Sequence, residues 1–274
     1  MNWRASILQL SRSRRVRRLY TTLQGAPVVG APLRRLVLRL LPAETSAWFR
    51  ISAGLGKGLW VHLDPRFEID YAHGNYEAFI EHELSLHLKP GSVFYDVGAH
   101  IGILSLAAAR LVGTSGTVFA FEPDSRNVER IQRNARRNHL ARIQVVPCAV
   151  WSVSGRMCFE RASQYSSHNQ GALRTGPGMG EANTIEVDAI ALDDFVASHD
   201  SPALIKIDVE GAEAAVLRGS ERIFAMTKPV VICEIHHEAA AQEVTQWLRG
   251  RGYTFEWLKG SAHFPRHLVA RWRW

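Results

Sequence analysis

Five acids and two glycines sit where α/β proteins do their chemistry. Asp96, Gly98 and Gly102 belong to YDVGAHIG. Before it lies Val93–Tyr95, a β-forming run; after it Ile103–Leu111 is dense enough in apolar and Ala residues for a helix. Gly98 lets a backbone come close to a ligand, and Gly102 lets the new helix pack tightly. Glu122-Pro123 closes the next β run, Thr117–Phe121, 24 positions after Gly98. Asp208 closes Leu204–Ile207 and is followed by Glu210-Gly211, while Glu234, His236 and His237 end Pro229–Ile235. Acids repeated at the ends of strands are costly unless hydrated, paired or used.

The turn does not have the G-x-G-x-x-G spacing of a dinucleotide site. A pyrophosphate prefers a helix N-terminus free of anions, and Asp96 would repel it. A cofactor with an ammonium and a sulfonium suits such a turn better, and S-adenosylmethionine is one. Glu122 stands where these folds hydrogen-bond a ribose, and a carboxylate accepts from two neighbouring hydroxyls. Arg142–Val150 reads as the third strand; small Ala149 at its end leaves room for a flat base. Trp151 could stack there, but core packing is the preferred reading. Methyl transfer needs an acceptor oxygen held in line, about 3 Å from the methyl carbon, and a base for its proton. Asp208 is the first candidate base. His236 is the second, because an unperturbed imidazole titrates near neutrality; Glu210 would orient base or substrate. Asp208, Glu234 and His236 together would suit Mg²⁺ or Mn²⁺, but no ligand spacing demands an ion, so no metal is assigned.

The elements that must hold these residues alternate as strand and helix. Trp48–Ala53 and Leu59–Leu63 read as a hairpin around GLGKG, and Phe67–Leu88 as mostly helical, with Glu77 capping the helix Ala78–Leu88. Asp124 reads as the N-cap of Ser125–Asn138, and the pair Asp193-Asp194 as caps of the short helix it opens. Gly219 is expected at the C′ position closing Ala212–Arg218. Arg156–Arg161 and Thr184–Val187 read as strands around a long polar loop, Ser163–Ala182. That loop and the aromatic Trp257–Trp274 are both placed to shape an acceptor site. The expected domains are a basic arm (1–43), a hairpin and helix (44–89) and a catalytic domain (90–274).

The chain has 274 residues and a net charge of +7. Residues 1–43 hold nine Arg, no Lys and no acid, so the remainder carries −2. A basic stripe on the fold itself, as nucleic-acid binding would want, is therefore absent. The arm, with PLRRLVLRLLP able to form an amphipathic helix, suits peripheral contact with an anionic membrane, a transit peptide or an acidic partner. Arginines break its apolar runs, which argues against a secretory signal. Cys148, Cys158 and Cys233 are too few and too odd for a disulfide framework, and fit small core residues in a reducing, cytoplasmic setting.

YDVGAHIG, FAFEPD, IKIDVEGAEAAVLRG and VICEIHH, preceded by GNYE, resemble the FkbM-type family of S-adenosylmethionine-dependent methyltransferases across residues 68–258. The resemblance implies a Rossmann-like class I methyltransferase sheet with helices on both faces. It also implies O-methylation of a hydroxyl on a small molecule or sugar. The cofactor would be bound by Glu77, Asp96, Gly98, Ala99, His100, Gly102, Glu122, Pro123 and Ala149. The family usually has Asn where this chain has His100. Two other classes stay open. A nicotinamide dehydrogenase shares the strand–turn–helix–acid order. A non-catalytic membrane-surface or partner-binding module would account for the Arg-rich arm.

Overall fold

The computed structural model describes residues 46–65, 67–74, 76–161, 172–174, 183–258 and 263–273. The basic arm and most of the loop 163–182 lie outside them. The described residues fall into two compact units, one of residues 46–47 and 63–69, the other of 48–62 and everything from 70 onward. In the first, the Asp64 N–H donates to the Glu68 carboxylate (2.7 Å). All that follows concerns the second.

In chain order, a hairpin of β1 (Ala47–Arg50) and β2 (Trp60–Leu63) precedes helices α1 (Ile69–His73) and α2 (Ala78–His87). Then come β3 (Val93–Val97), α3 (Ile103–Val112), β4 (Thr117–Phe121), α4 (Ser125–Arg137) and β5 (Ile143–Val146). A small sheet is made by β6 (Ala149–Val150), β7 (Gly155–Glu160), β8 (Ala172–Arg174) and β9 (Thr184–Ile190). The chain returns through α5 (Leu192–Phe195), β10 (Leu204–Ile207), α6 (Glu213–Arg218), α7 (Glu221–Met226), β11 (Val230–Ile235) and α8 (Glu238–Gly250). It ends in an antiparallel pair, β12 (Tyr253–Trp257) and β13 (Arg266–Trp272).

The main sheet runs β12-β13-β11-β10-β3-β4-β5. Strands β5, β4, β3, β10 and β11 pair in parallel; β13 is antiparallel to both its neighbours. Strand alternation splits the core in two. Tyr95, Val97, Ile205, Ile207 and Cys233 pack with α5–α8, whereas Phe94, Ala120, Leu204 and Ile232 pack with α2, α3 and α4. The expected α/β sheet with helices on both faces is therefore observed.

Several local readings change. The run expected as one third strand divides: Ile143–Val146 extends the main sheet, and Ala149–Val150 leaves it to pair with β9. Asp193 does not cap its own helix. Its carboxylate accepts from the N–H groups of Arg222 and Ile223, so it caps α7 from outside. Gly219 is not left-handed (φ −84°); it is small because a Cβ there would lie 2.3 Å from the Trp151 carbonyl oxygen. Trp151 packs with Ala149, Phe159 and Val187, the preferred reading. Asp124 caps α4 as expected, accepting from the Arg126 N–H. Cys148 and Cys233 are buried and free.

Candidate active site

The strand order reverses between β3 and β10, the point where open α/β sheets take ligands beyond their carboxyl ends. A cleft lies there. Glu77, Asp96, Gly98, Ala99, His100, Glu122, Pro123, Ala149, Asp208 and Glu210 all line it, with Tyr71, Tyr76 and Lys206. Gly102 and His236 are not among the lining residues. Gly102 is left-handed (φ 83°), and a Cβ on it would lie 3.1 Å from the Ile131 side chain, so it serves the packing of α3 against α4. Gly98 has a different reason from the one expected. A Cβ on it would fall 1.8 Å from the Asp208 carbonyl oxygen, so it makes room for the adjoining strand.

Register brings the charged groups together. Asp96 on β3 is paired with Lys206 on β10, and Glu234 on β11 with His267 on β13. Cross-strand partners project to the same face. Lys206, 4% exposed, donates to the Gly98 carbonyl (2.9 Å) and to Asp208 Oδ2 (3.1 Å), with Asp96 Oδ1 3.7 Å away. Burial alone would lower its pKa; Asp208, Asp96 and Glu77 outweigh that and hold it above the usual lysine range. Burial raises Asp96, although Lys206 and the Ser105 hydroxyl oppose it. Asp96 Oδ1 is buried and makes no hydrogen bond. Asp208, also opposed by burial, is held below the usual carboxylate range by Lys206 and His236.

Glu122 is 5% exposed. Its Oε2 accepts from the His100 N–H and its Oε1 from the Asp124 N–H, both at 2.9 Å. Burial nevertheless pushes it up to about 7. His100 is left-handed (φ 52°), a conformation for which Asn, Asp and His are enriched. That explains how His replaces the family's Asn: the site uses its backbone N–H. Glu77 (φ 50°) and Glu210 (φ 52°) are left-handed too, so backbone strain gathers along this cleft. Glu77 does not cap α2 through its side chain; its carboxylate lies 3.4 Å from His267 Nε2.

His236 stands behind Asp208 and Glu210. Its Nδ1 donates to Glu213 Oε1 (2.6 Å), and its Nε2 lies 3.3 Å from Glu210 Oε2 and 3.8 Å from Asp208 Oδ1. Burial would lower its pKa, but Glu210, Glu213 and Asp208 raise it to about 10. The premise of a base titrating near neutrality therefore does not hold for this imidazole. Lys206, Glu213 and His267 went unread in the sequence. Their one signal was charge inside apolar strand or helix patterns; what pairs them is register.

A sheet of this order, with acids gathered at its reversal point, defines the class I Rossmann-like methyltransferase fold. The chain belongs to the FkbM methyltransferase family: the family model described as the methyltransferase FkbM domain matches residues 96–255. It is similar to the 31-O-demethyl-FK506 methyltransferase FkbM of Streptomyces tacrolimicus, 34% identical over 197 residues, 61% of this chain and 74% of that one. It is also similar to the hexuronic acid methyltransferase AglP of Haloferax volcanii, 31% identical over 160 residues, 57% of this chain and 61% of that protein. Among solved structures, methyltransferase FkbM from Methylobacillus flagellatus shares the fold, with a TM-score of 0.50 and 18% identity over 90% of this chain and 60% of that one.

Proposed function

We propose that this chain is an S-adenosylmethionine-dependent O-methyltransferase acting on a hydroxyl of a small molecule or sugar. The observation that carries the reading is the pair Asp96 and Glu122, buried at the ends of adjacent strands and lining one cleft. Both fit the cofactor. Asp96 has an oxygen without a hydrogen bond, able to take a cationic group. Glu122 is oriented by two backbone N–H groups, and each of its oxygens keeps acceptor capacity for a ribose hydroxyl. Glu77 adds negative charge on the same wall. The cofactor supplies a methyl group already activated by a sulfonium.

The chain's own residues do the rest. Asp208, ionised and fixed by Lys206, faces the cleft as acceptor of the hydroxyl proton. Glu210 and His236 position it. The named relatives act, by their names, on an FK506 hydroxyl position and on a hexuronic acid, which supports a polyoxygenated acceptor.

The test is calorimetry of S-adenosylhomocysteine on the wild type and on Glu122→Ala. Two charge-assisted hydrogen bonds lost should weaken binding by at least about 10-fold. A folded wild type that binds nothing rejects the cofactor; equal binding by both removes Glu122 from the ribose.

A further inference from the structure

Beside the cofactor wall lies a second group of side chains. Asp208, Glu234 and His236 bring one oxygen, one oxygen and one nitrogen within 4.8 Å of one another. Their side chains are only 18%, 8% and 14% exposed. Ligands of one small divalent ion at roughly 2.1 Å lie about 3–4 Å apart, so this spacing needs little closure.

Three further observations point to a cation. The first is the orientation of His236. Its Nδ1 is taken by Glu213, a residue of 0% exposure, which leaves Nε2 facing Asp208 and Glu210. A carboxylate behind the outer nitrogen is how metal-ligating imidazoles are commonly fixed. The second is charge. Among the described residues six carboxylates (Glu77, Asp96, Asp208, Glu210, Glu213, Glu234) share at most three cations, Lys206, His236 and His267. A buried excess of negative charge is expensive unless a cation joins it. The third is unmet polarity: Glu213 Oε2 and Glu210 Oε1 are buried and make no hydrogen bond.

We propose that Asp208, Glu234 and His236 bind one divalent cation, Mg²⁺ or Mn²⁺, at the acceptor end of the cleft. Two carboxylates with one imidazole are a donor set these ions accept. The overlapping trio Glu77, Glu234 and His267 is the lesser candidate, since no carboxylate is seen fixing the outer nitrogen of His267. The use of the ion rests on the function proposed above. An acceptor hydroxyl bound to it becomes more acidic, and its proton passes to the free Oε1 of Glu210, which then carries it as a neutral carboxyl. A diol or a hydroxy acid would chelate the ion, which identifies the acceptor class as a vicinal polyol or uronate.

The full chain, stripped of metal by chelator, is titrated with Mn²⁺, and free ion is read by electron paramagnetic resonance. The same samples are tested for S-adenosylhomocysteine binding by calorimetry. One Mn²⁺ per chain is expected, weakened about 10- to 100-fold or more in Glu234→Gln and in His236→Gln. Where the buried Glu234→Gln does not fold, His236→Gln decides. A chain that binds S-adenosylhomocysteine but no Mn²⁺ overturns the proposal, as does unaltered Mn²⁺ binding in the folded variants. A chain that binds Mn²⁺ and not S-adenosylhomocysteine upholds the cation site and rejects the cofactor.

Discussion

Glu122 carries two opposed demands on one carboxyl group. Burial pushes it up to about 7, above the ordinary glutamate value near 4.3. A group raised in this way favours the fold while neutral. Its contribution is complete below about pH 4 and is lost as pH rises through about 7, on the order of 3 kcal/mol in all. Glu122→Gln cannot titrate, so its melting temperature should fall less than the wild type's between pH 5 and 8. Cofactor binding should run the other way, because a ribose diol donates best to the ionised group. S-adenosylhomocysteine affinity should rise through about pH 7 in the wild type and stay flat in Glu122→Gln. Parallel calorimetric profiles would remove Glu122 from the titration. The residue was readable because an acid ending a strand has few ordinary reasons to be there. Its two backbone donors were not, since His100 reaches it only through a left-handed turn.

Elements in this chain are held by partners remote in sequence. Asp193 was legible as a capping residue, but not as the cap of α7, some 30 positions on. The N–H groups of Arg222 and Ile223 would otherwise lie unmet at that helix start. Asp193→Ala should cost about 1 kcal/mol in chemical denaturation, with S-adenosylhomocysteine affinity unchanged, because the cap lies outside the cleft lining. Loss of affinity without loss of stability would contradict this. The same remoteness explains the split of the third strand. RIQVVPCAV is uniformly β-forming, so nothing local marks Val146 as the last residue of the main sheet. The small sheet claims Ala149 and Val150 by pairing them with Ala189 and Ile190.

Charge is unevenly distributed over the whole molecule. All of the excess positive charge lies in residues 1–43, while the remainder is slightly acidic and contains every residue of the cleft. Removing residues 1–43 should therefore leave S-adenosylhomocysteine affinity within about 2-fold, since exposed charges beyond a Debye length are screened. A loss of binding in a folded remainder would move the arm into the function. At the other end, Trp257–Trp274 was read as a segment shaping an acceptor site. Its described part includes β13, which sits between β11 and β12 in the sheet. The chain thus returns, and delivers His267 to Glu234 and Glu77.

What the sequence determined alone was local and periodic. It specified the alternation of strand and helix, the acids that end β3, β4, β10 and β11 or directly follow them, and the family to which these motifs belong. Those signals survive in a linear chain because backbone propensity and alternation act over a few residues. Only the tertiary structure decided which charges meet. Lys206 between Asp96 and Asp208, Glu213 behind His236, and His267 beside Glu234 depend on strand order and register. A shift of one residue in either pairing would turn these side chains to the opposite face. Register is decided by the packing of two cores at once, which no short stretch of sequence contains.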